Sequence, residues 1–222
     1  MLILGVDTSG KNGSIALVEF AAEAANTLEV VPLEGGTFSA QLVPQISELL
    51  ARQHRTKHAL GGFAVVSGPG SFTGLRVGLA AIKALAEVLQ KPIATVSLLE
   101  AIAKISGING EVISALDAGR GEIYVANCYV SSGVAFVRTQ QLLAPGELAA
   151  DARMRQVITP DAKIADLARS QDLPATLVTY PRADVIAHMG YEKIKAGEII
   201  SVESLDANYI RRSDAEIKFT GK

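Results

Sequence analysis

A single cysteine in 222 residues leaves no partner for a disulfide within the chain. Cys128 sits inside an apolar strand pattern and is expected as a buried filler. Basic residues are not in excess either: 21 Lys and Arg against 23 Asp and Glu give a net charge of −2. Long-range attraction alone does not hold a polyanion at that charge, which argues against an autonomous nucleic-acid binder. No signal peptide is expected either, because Met1-Leu2-Ile3-Leu4-Gly5-Val6 carries no basic residue and meets Asp7 too soon for one. No uncharged stretch is long enough to span a bilayer, so the expectation is a soluble, cytoplasmic protein with no membrane association. What is present, 49% hydrophobic and 20% charged residues, suits one large domain or two small lobes around a buried core.

The most informative stretch is Ser67-Gly68-Pro69-Gly70-Ser71-Phe72-Thr73-Gly74, between the apolar run Phe63 to Val66 and the apolar segment Leu75 to Leu89. The order reads strand, glycine loop, helix. Such a loop aims backbone N–H groups and hydroxyls at the helix N-terminus, where the macrodipole favours an anion. A phosphate cradle and a tight strand-to-helix connection are both open readings. Walker A chemistry is excluded, because Thr73-Gly74-Leu75-Arg76 stands where a Lys-Ser or Lys-Thr pair is required. A hydrolase elbow is excluded too, since Gly68-Pro69-Gly70-Ser71-Phe72 is not Gly-x-Ser-x-Gly.

Along the chain, strands are expected at Leu2 to Val6, Ser14 to Phe20 and Leu28 to Leu33, with Asn12-Gly13 as a hairpin signal. A helix capped by Ser39 follows, with Leu42, Ile46, Leu49 and Leu50 at helical spacing. The second half begins in the same way. Val112 to Leu116 runs into Asp117-Ala118-Gly119-Arg120-Gly121, and apolar segments follow at Glu122 to Val130 and around Val134 to Leu142. Asp7 and Asp117 occupy equivalent places, which points to two lobes of like topology built by duplication. The lobes are expected at 1–106 and 107–222. Helices near Asp161 to Arg169 and Arg182 to Ala196 complete the second lobe, and the last segment is placed to pack back on the first. Each aspartate is read either as one of a carboxylate pair or as a cap on its own turn.

Two such lobes, each with an aspartate on its first hairpin turn, resemble the actin, sugar kinase and heat-shock ATPase superfamily of α/β proteins with RNase H-like lobes. The resemblance implies a fold in which the cleft between lobes holds ATP. It makes Asp7, Gly68, Gly70, Ser71 and Thr73 candidate phosphate contacts. A narrower resemblance rests on five motifs in order: Leu4-Gly5-Val6-Asp7-Thr8-Ser9; Ser67 to Leu79; Val96-Ser97-Leu98-Leu99-Glu100-Ala101; Leu116-Asp117-Ala118-Gly119-Arg120-Gly121-Glu122-Ile123-Tyr124; and Tyr209-Ile210-Arg211-Arg212. Together they resemble the bacterial TsaB (YeaZ) family. What that implies is a non-catalytic subunit, dimeric when alone, that pairs with the transferase TsaD and the ATPase TsaE. TsaD carries threonylcarbamate to the adenosine beside the anticodon of tRNAs reading codons that start with A, and tRNA is met only through the complex. A phosphotransferase or ATPase of the same fold is the alternative, and a glycoprotease-like peptidase stands behind both.

The transferase's metal-binding His-x-x-x-His pair is matched here by Ser97 and Ala101, which cannot replace imidazole, so no metal is expected. His54 and His58 are also four apart, but Arg55 and Lys57 beside them suit a solvated basic helix end. His188 is read as a packed or surface residue. The resemblance further places the adenosine loop at Thr159-Pro160-Asp161-Ala162, where the superfamily's glycines are missing. No tightly bound cofactor is therefore expected, with ATP or ADP held weakly in the complex. Where the family carries histidine-serine, this chain has Phe38-Ser39. The helix from Leu75 to Gln90 is apolar nearly all round and narrow, so one face is expected on its own sheet and the other against a partner helix. The contact is placed at Leu75, Gly78, Ala81, Ile82 and Leu85.

Overall fold

The computed structural model describes residues 1–22, 24–208 and 210. Apart from Ile210, the Tyr209-Ile210-Arg211-Arg212 motif lies outside the described residues. By contacts the described residues form two compact units, Met1–Leu98 with Pro181–Ala207, and Leu99–Tyr180.

In the first unit β1 (Leu2–Asp7), β2 (Gly13–Phe20) and β3 (Ala25–Leu33) form an antiparallel meander. After α1 (Phe38–Arg52), β4 (Leu60–Gly68) joins β1 in parallel, and after α2 (Phe72–Leu89), β5 (Ile93–Ser97) joins β4. The sheet order is β3-β2-β1-β4-β5. The second unit, after α3 (Leu98–Ile105), repeats it with β6 (Gly110–Gly119), β7 (Glu122–Ser131), β8 (Val134–Leu143), α4 (Leu148–Ala152), β9 (Gln156–Thr159), α5 (Ala162–Ser170) and β10 (Ala175–Leu177). Its order, read from the edge, is β8-β7-β6-β9-β10. Strand for strand the pattern is the same, the like topology expected from the two aspartate turns. Its core joins Ile113, Ala115, Val125 and Val157 of the sheet to Leu148 and Ala152 of α4 and Ile164 and Ala168 of α5.

The helix expected to complete the second lobe, α6 (Ala183–Lys195), instead packs on β1, β2, β4 and β5 of the first. Small residues explain the placement. A Cβ at Gly5 would overlap the Ala183 carbonyl oxygen, and one at Gly190 would overlap the Ala64 side chain. Helix and sheet thus approach more closely than larger residues allow. With α6 on one face and α1 and α2 on the other, every residue of β1 is buried, as near-continuous hydrophobic strands require.

One local expectation needs correction. Ser39 lies inside α1, and the N-cap is Thr37, because the Glu34-Gly35-Gly36 turn, with Gly36 at φ 82°, starts the helix two residues earlier. The hairpin signalled by Asn12-Gly13 is present: β1 and β2 pair antiparallel up to Asp7 and Ser14, and Gly13 opens β2 where a Cβ would come within 2.5 Å of the Asp7 carbonyl oxygen.

Candidate functional site

The glycine loop and the β1–β2 turn form a single joint. Ser71 caps α2, its Oγ accepting from Gly74 N at 3.3 Å, while its own N–H donates to Ser9 O at 2.7 Å. Thr8 Oγ1 donates to Gly74 O at 2.8 Å. Three glycines four residues apart make this approach possible. A Cβ at Gly70 would overlap Ser9 O, one at Gly74 would overlap Thr8 O, and one at Gly78 would overlap Thr8 Oγ1. The chain's own turn thus fills the space these glycines leave open, a use of glycine that needs close backbone approach.

Asp7 anchors the turn from below. It is 1% exposed, and its Oδ1 accepts from Ser9 N at 2.8 Å and from Ser9 Oγ at 2.5 Å. Burial pushes its carboxyl up to about 6, with the two Ser9 hydrogen bonds pulling the other way; removal from water disfavours the charged form. In the second unit Asp117 Oδ1 accepts from Gly119 N at 2.7 Å, and Asp117 N donates to Asp161 Oδ2 at 2.8 Å. Each aspartate caps the backbone N–H two residues on, the second of the two readings open in the sequence. Asp161 occupies the N-cap position of α5 without capping it, and its N–H donates to Thr159 Oγ1 at 3.1 Å.

A cavity of about 700 Å³ opens beside the joint, between the Gly10-Lys11-Asn12 tip, the Glu34-Gly35-Gly36 turn and the first turns of α1 and α2. Of the five candidate phosphate contacts, Ser71 and Thr73 line it; Asp7, Gly68 and Gly70 do not. Phe38 and Ser39 line it too. Sequence reasoning missed Lys11, a cation lining the same cavity, which no spacing argument connects to the loop.

Along α2 the expected contact face is partly misplaced. Leu75, Gly78 and Ile82 are buried in their own unit, and only Ala81 and Leu85 stand half-buried at its edge. The side this helix leaves exposed is the line Phe72, Arg76, Ala80, Ala84 and Val88. Val88 is 72% exposed, and Val43 on the adjoining α1 is 55% exposed. Arg76 lies over the Phe72 ring at 3.7 Å, so the N-terminal end of the line is an aromatic and cationic pair. The cause of the misplacement is the helix's composition: apolar on all sides, it carries no phase to show which side meets the sheet.

Ser97 ends β5, and Ala101 is fully buried in α3. His54 follows α1 at φ 51°, and His58 lies in a separate helical turn, Lys57–Ala59, so they share no helix face. The basic end of α1 is paired, Arg52 with Glu29 at 2.8 Å and Arg55 with Glu19 at 2.9 Å. His188 packs edge-on against Phe20 at 5.0 Å. Cys128 is buried beside Ser114, 3.7 Å away, and burial pushes its thiol up to about 11. Among the described residues no group of three His, Cys, Asp or Glu is arranged to hold a metal ion.

A repeated mixed sheet with an aspartate on the first turn of each copy and a glycine joint at the first helix defines a two-lobed α/β protein of the actin-like class. Residues 30–186 match the family described as TsaD, tRNA N6-adenosine threonylcarbamoyltransferase. The chain is 26% identical over 235 residues to the tRNA threonylcarbamoyladenosine biosynthesis protein TsaB of Bacillus subtilis, covering 99% of this chain and 98% of that one. To the protein of the same name in Escherichia coli it is 27% identical over 236 residues, covering 100% of each. The fold matches YeaZ from Pseudomonas aeruginosa with a TM-score of 0.76 at 23% identity, over 94% of this chain and 99% of that one. The chain belongs to the TsaD family and, within it, stands with the TsaB (YeaZ) proteins.

Proposed function

We propose that this chain is the non-catalytic partner of a tRNA N6-adenosine threonylcarbamoyltransferase, required for threonylcarbamoylation of the adenosine beside the anticodon in tRNAs reading codons that start with A. The observation that carries the proposal is similarity along the whole chain to two TsaB proteins named for threonylcarbamoyladenosine biosynthesis. The exposed line on α2 supports it: Ala80 and Ala84 give a narrow apolar strip on which a partner helix can lie closely, with Val88 and Phe72 at its ends. The same face serves a second copy when the transferase is absent. An ATPase of the TsaE kind joins the assembly, tRNA is bound through the complex, and the work is done in the cytoplasm. No helix among the described residues is long and apolar enough to cross a membrane.

Nucleotide binding belongs to this proposal in a weak form. Ser71 and Thr73 face the cavity from the α2 N-terminus, a favourable place for phosphate oxygens. Phosphate contacts alone suit a dissociation constant near 1 mM, about 4 kcal/mol. Reconstitution decides the main claim. Transferase plus tRNA, ATP and a preformed activated threonylcarbamoyl donor should modify tRNA only when this protein and the ATPase are added; equal modification without this protein overturns it.

A further inference from the structure

The buried carboxylate of Asp7 has no part in the activity proposed above, yet it sits under the joint that positions the partner-facing helix. Both of its described donors come from Ser9 and converge on Oδ1. Ser9 in turn holds Ser71 N through its carbonyl, and Thr8 holds Gly74 O. Ser71 and Gly74 are the N-cap and first turn of α2, immediately beside Phe72 and Arg76. A change at Asp7 therefore reaches the exposed end of the α2 line through two residues of backbone.

The charged groups around Asp7 are engaged elsewhere. Lys11, on its own turn, lines the cavity. Arg76 of α2 lies over Phe72. At the N-terminus of α6, whose Ala183 N donates to Ser14 Oγ opposite Asp7, Arg182 and Asp184 pair with each other at 2.5 Å. On β2, Glu19 pairs with Arg55 at the far end, and β4 carries no charged residue. Among the described residues no cation pairs with Asp7, so only the Ser9 donors stabilise its ionised form.

We propose that the Asp7–Ser9 clamp is a proton-operated latch on the N-terminal turn of α2. A proton taken from solvent binds Oδ2, because Oδ1 already accepts both Ser9 donors. Oδ1 then becomes a neutral carbonyl oxygen, and both Ser9 hydrogen bonds lose the charge that shortens and strengthens them. Ser9 relaxes, its hold on Ser71 weakens, and the Phe72 and Arg76 end of the line loses its set position. Partner association through α2 becomes weaker in acid. The link to association rests on the partner reading above; the latch itself does not.

The test follows the Asp7 carboxyl carbon and the backbone amides of Ser9, Ser71 and Gly74 by NMR in the full chain, between about pH 8 and 4.5. All four should titrate with one midpoint, near the value of about 6 that burial gives Asp7. Ser9→Ala, which removes one donor to the ionised form, should move the shared midpoint up. Asp7→Asn should remove it. Amides of Ser71 and Gly74 that stay still while Asp7 titrates, or a midpoint that ignores Ser9→Ala, overturn the latch. In parallel, calorimetry with the cognate transferase should show binding weakened about tenfold between pH 7.5 and 5, the scale of one charge-assisted hydrogen bond, and pH-independent binding by Asp7→Asn relative to the same partner. Equal pH dependence in wild type and Asp7→Asn overturns the effect on association. No binding at any pH overturns the partner reading instead, while the amide titration still decides the latch.

Discussion

A carboxylate taken out of water and given two donors from one serine is held less well than water holds it, and the folded state at neutral pH bears that cost at Asp7. The group's pKa rises from 3.8 in the unfolded chain to about 6 in the folded one, so the folded state binds the proton more tightly. Its contribution to stability is fully present below about pH 4 and is lost as pH rises through about 6. Asp7→Asn, which keeps an acceptor for Ser9 without the charge, should therefore be more stable than wild type at pH 7.5, by up to about 3 kcal/mol. The gap should close near pH 4. Urea unfolding at the two pH values checks this, and a variant less stable than wild type at pH 7.5 would remove the charge-burial account. The cap reading of Asp7 and Asp117, one of the two left open by the sequence, could be raised there because the hydrogen bond of each is local, reaching two residues along the chain. The purpose of Gly70, Gly74 and Gly78 was not legible, since what fills their space, Thr8 and Ser9, is more than sixty residues away in sequence. Gly74→Ala should destabilise by about 1–3 kcal/mol, the cost of forcing an extra methyl into a closed contact, measurable as a lower urea midpoint.

At the scale of elements, α2 separates its roles by side. Leu75, Leu79 and Ile82 face its own sheet, while Ala80, Ala84 and Val88 face outward. Ala84→Arg should leave circular dichroism and thermal melting close to wild type, because the site is exposed. Association with the transferase, and self-association, should fall by at least about tenfold, as an unpaired charge is buried between helices. Sedimentation of both mixtures checks the claim; unchanged association would move the contact off this face. The helix itself was legible from its apolar run, whereas its orientation was not. The short edge strands β5 and β10, of five and three residues, were equally faint: a strand that short has too few residues to establish an alternation.

For the whole molecule, the interleaved chain matters more than either sheet. The two aspartate turns revealed the repeat, but nothing local in Ala183-x-x-x-Ala187-x-x-Gly190 says which sheet those small residues meet; Gly5 and Ala64 do, from the other end of the sequence. A chain truncated after Tyr180 lacks the helix that covers one face of β1, β2, β4 and β5. It should be insoluble or bind a hydrophobic dye strongly, and adding 181–208 back as a separate peptide should reduce that dye binding; a soluble, cooperatively melting truncation would contradict it. The same return of α6 sets an order of events during synthesis. The first sheet emerges early and waits, with an apolar face open, while residues 99–180 are made, roughly 4–16 s at 5–20 residues per second. Throughout that interval the nascent chain is a client for whatever holds exposed strands apart at the ribosome exit, and a stalled or slowed ribosome anywhere in the second lobe lengthens the exposure of the first.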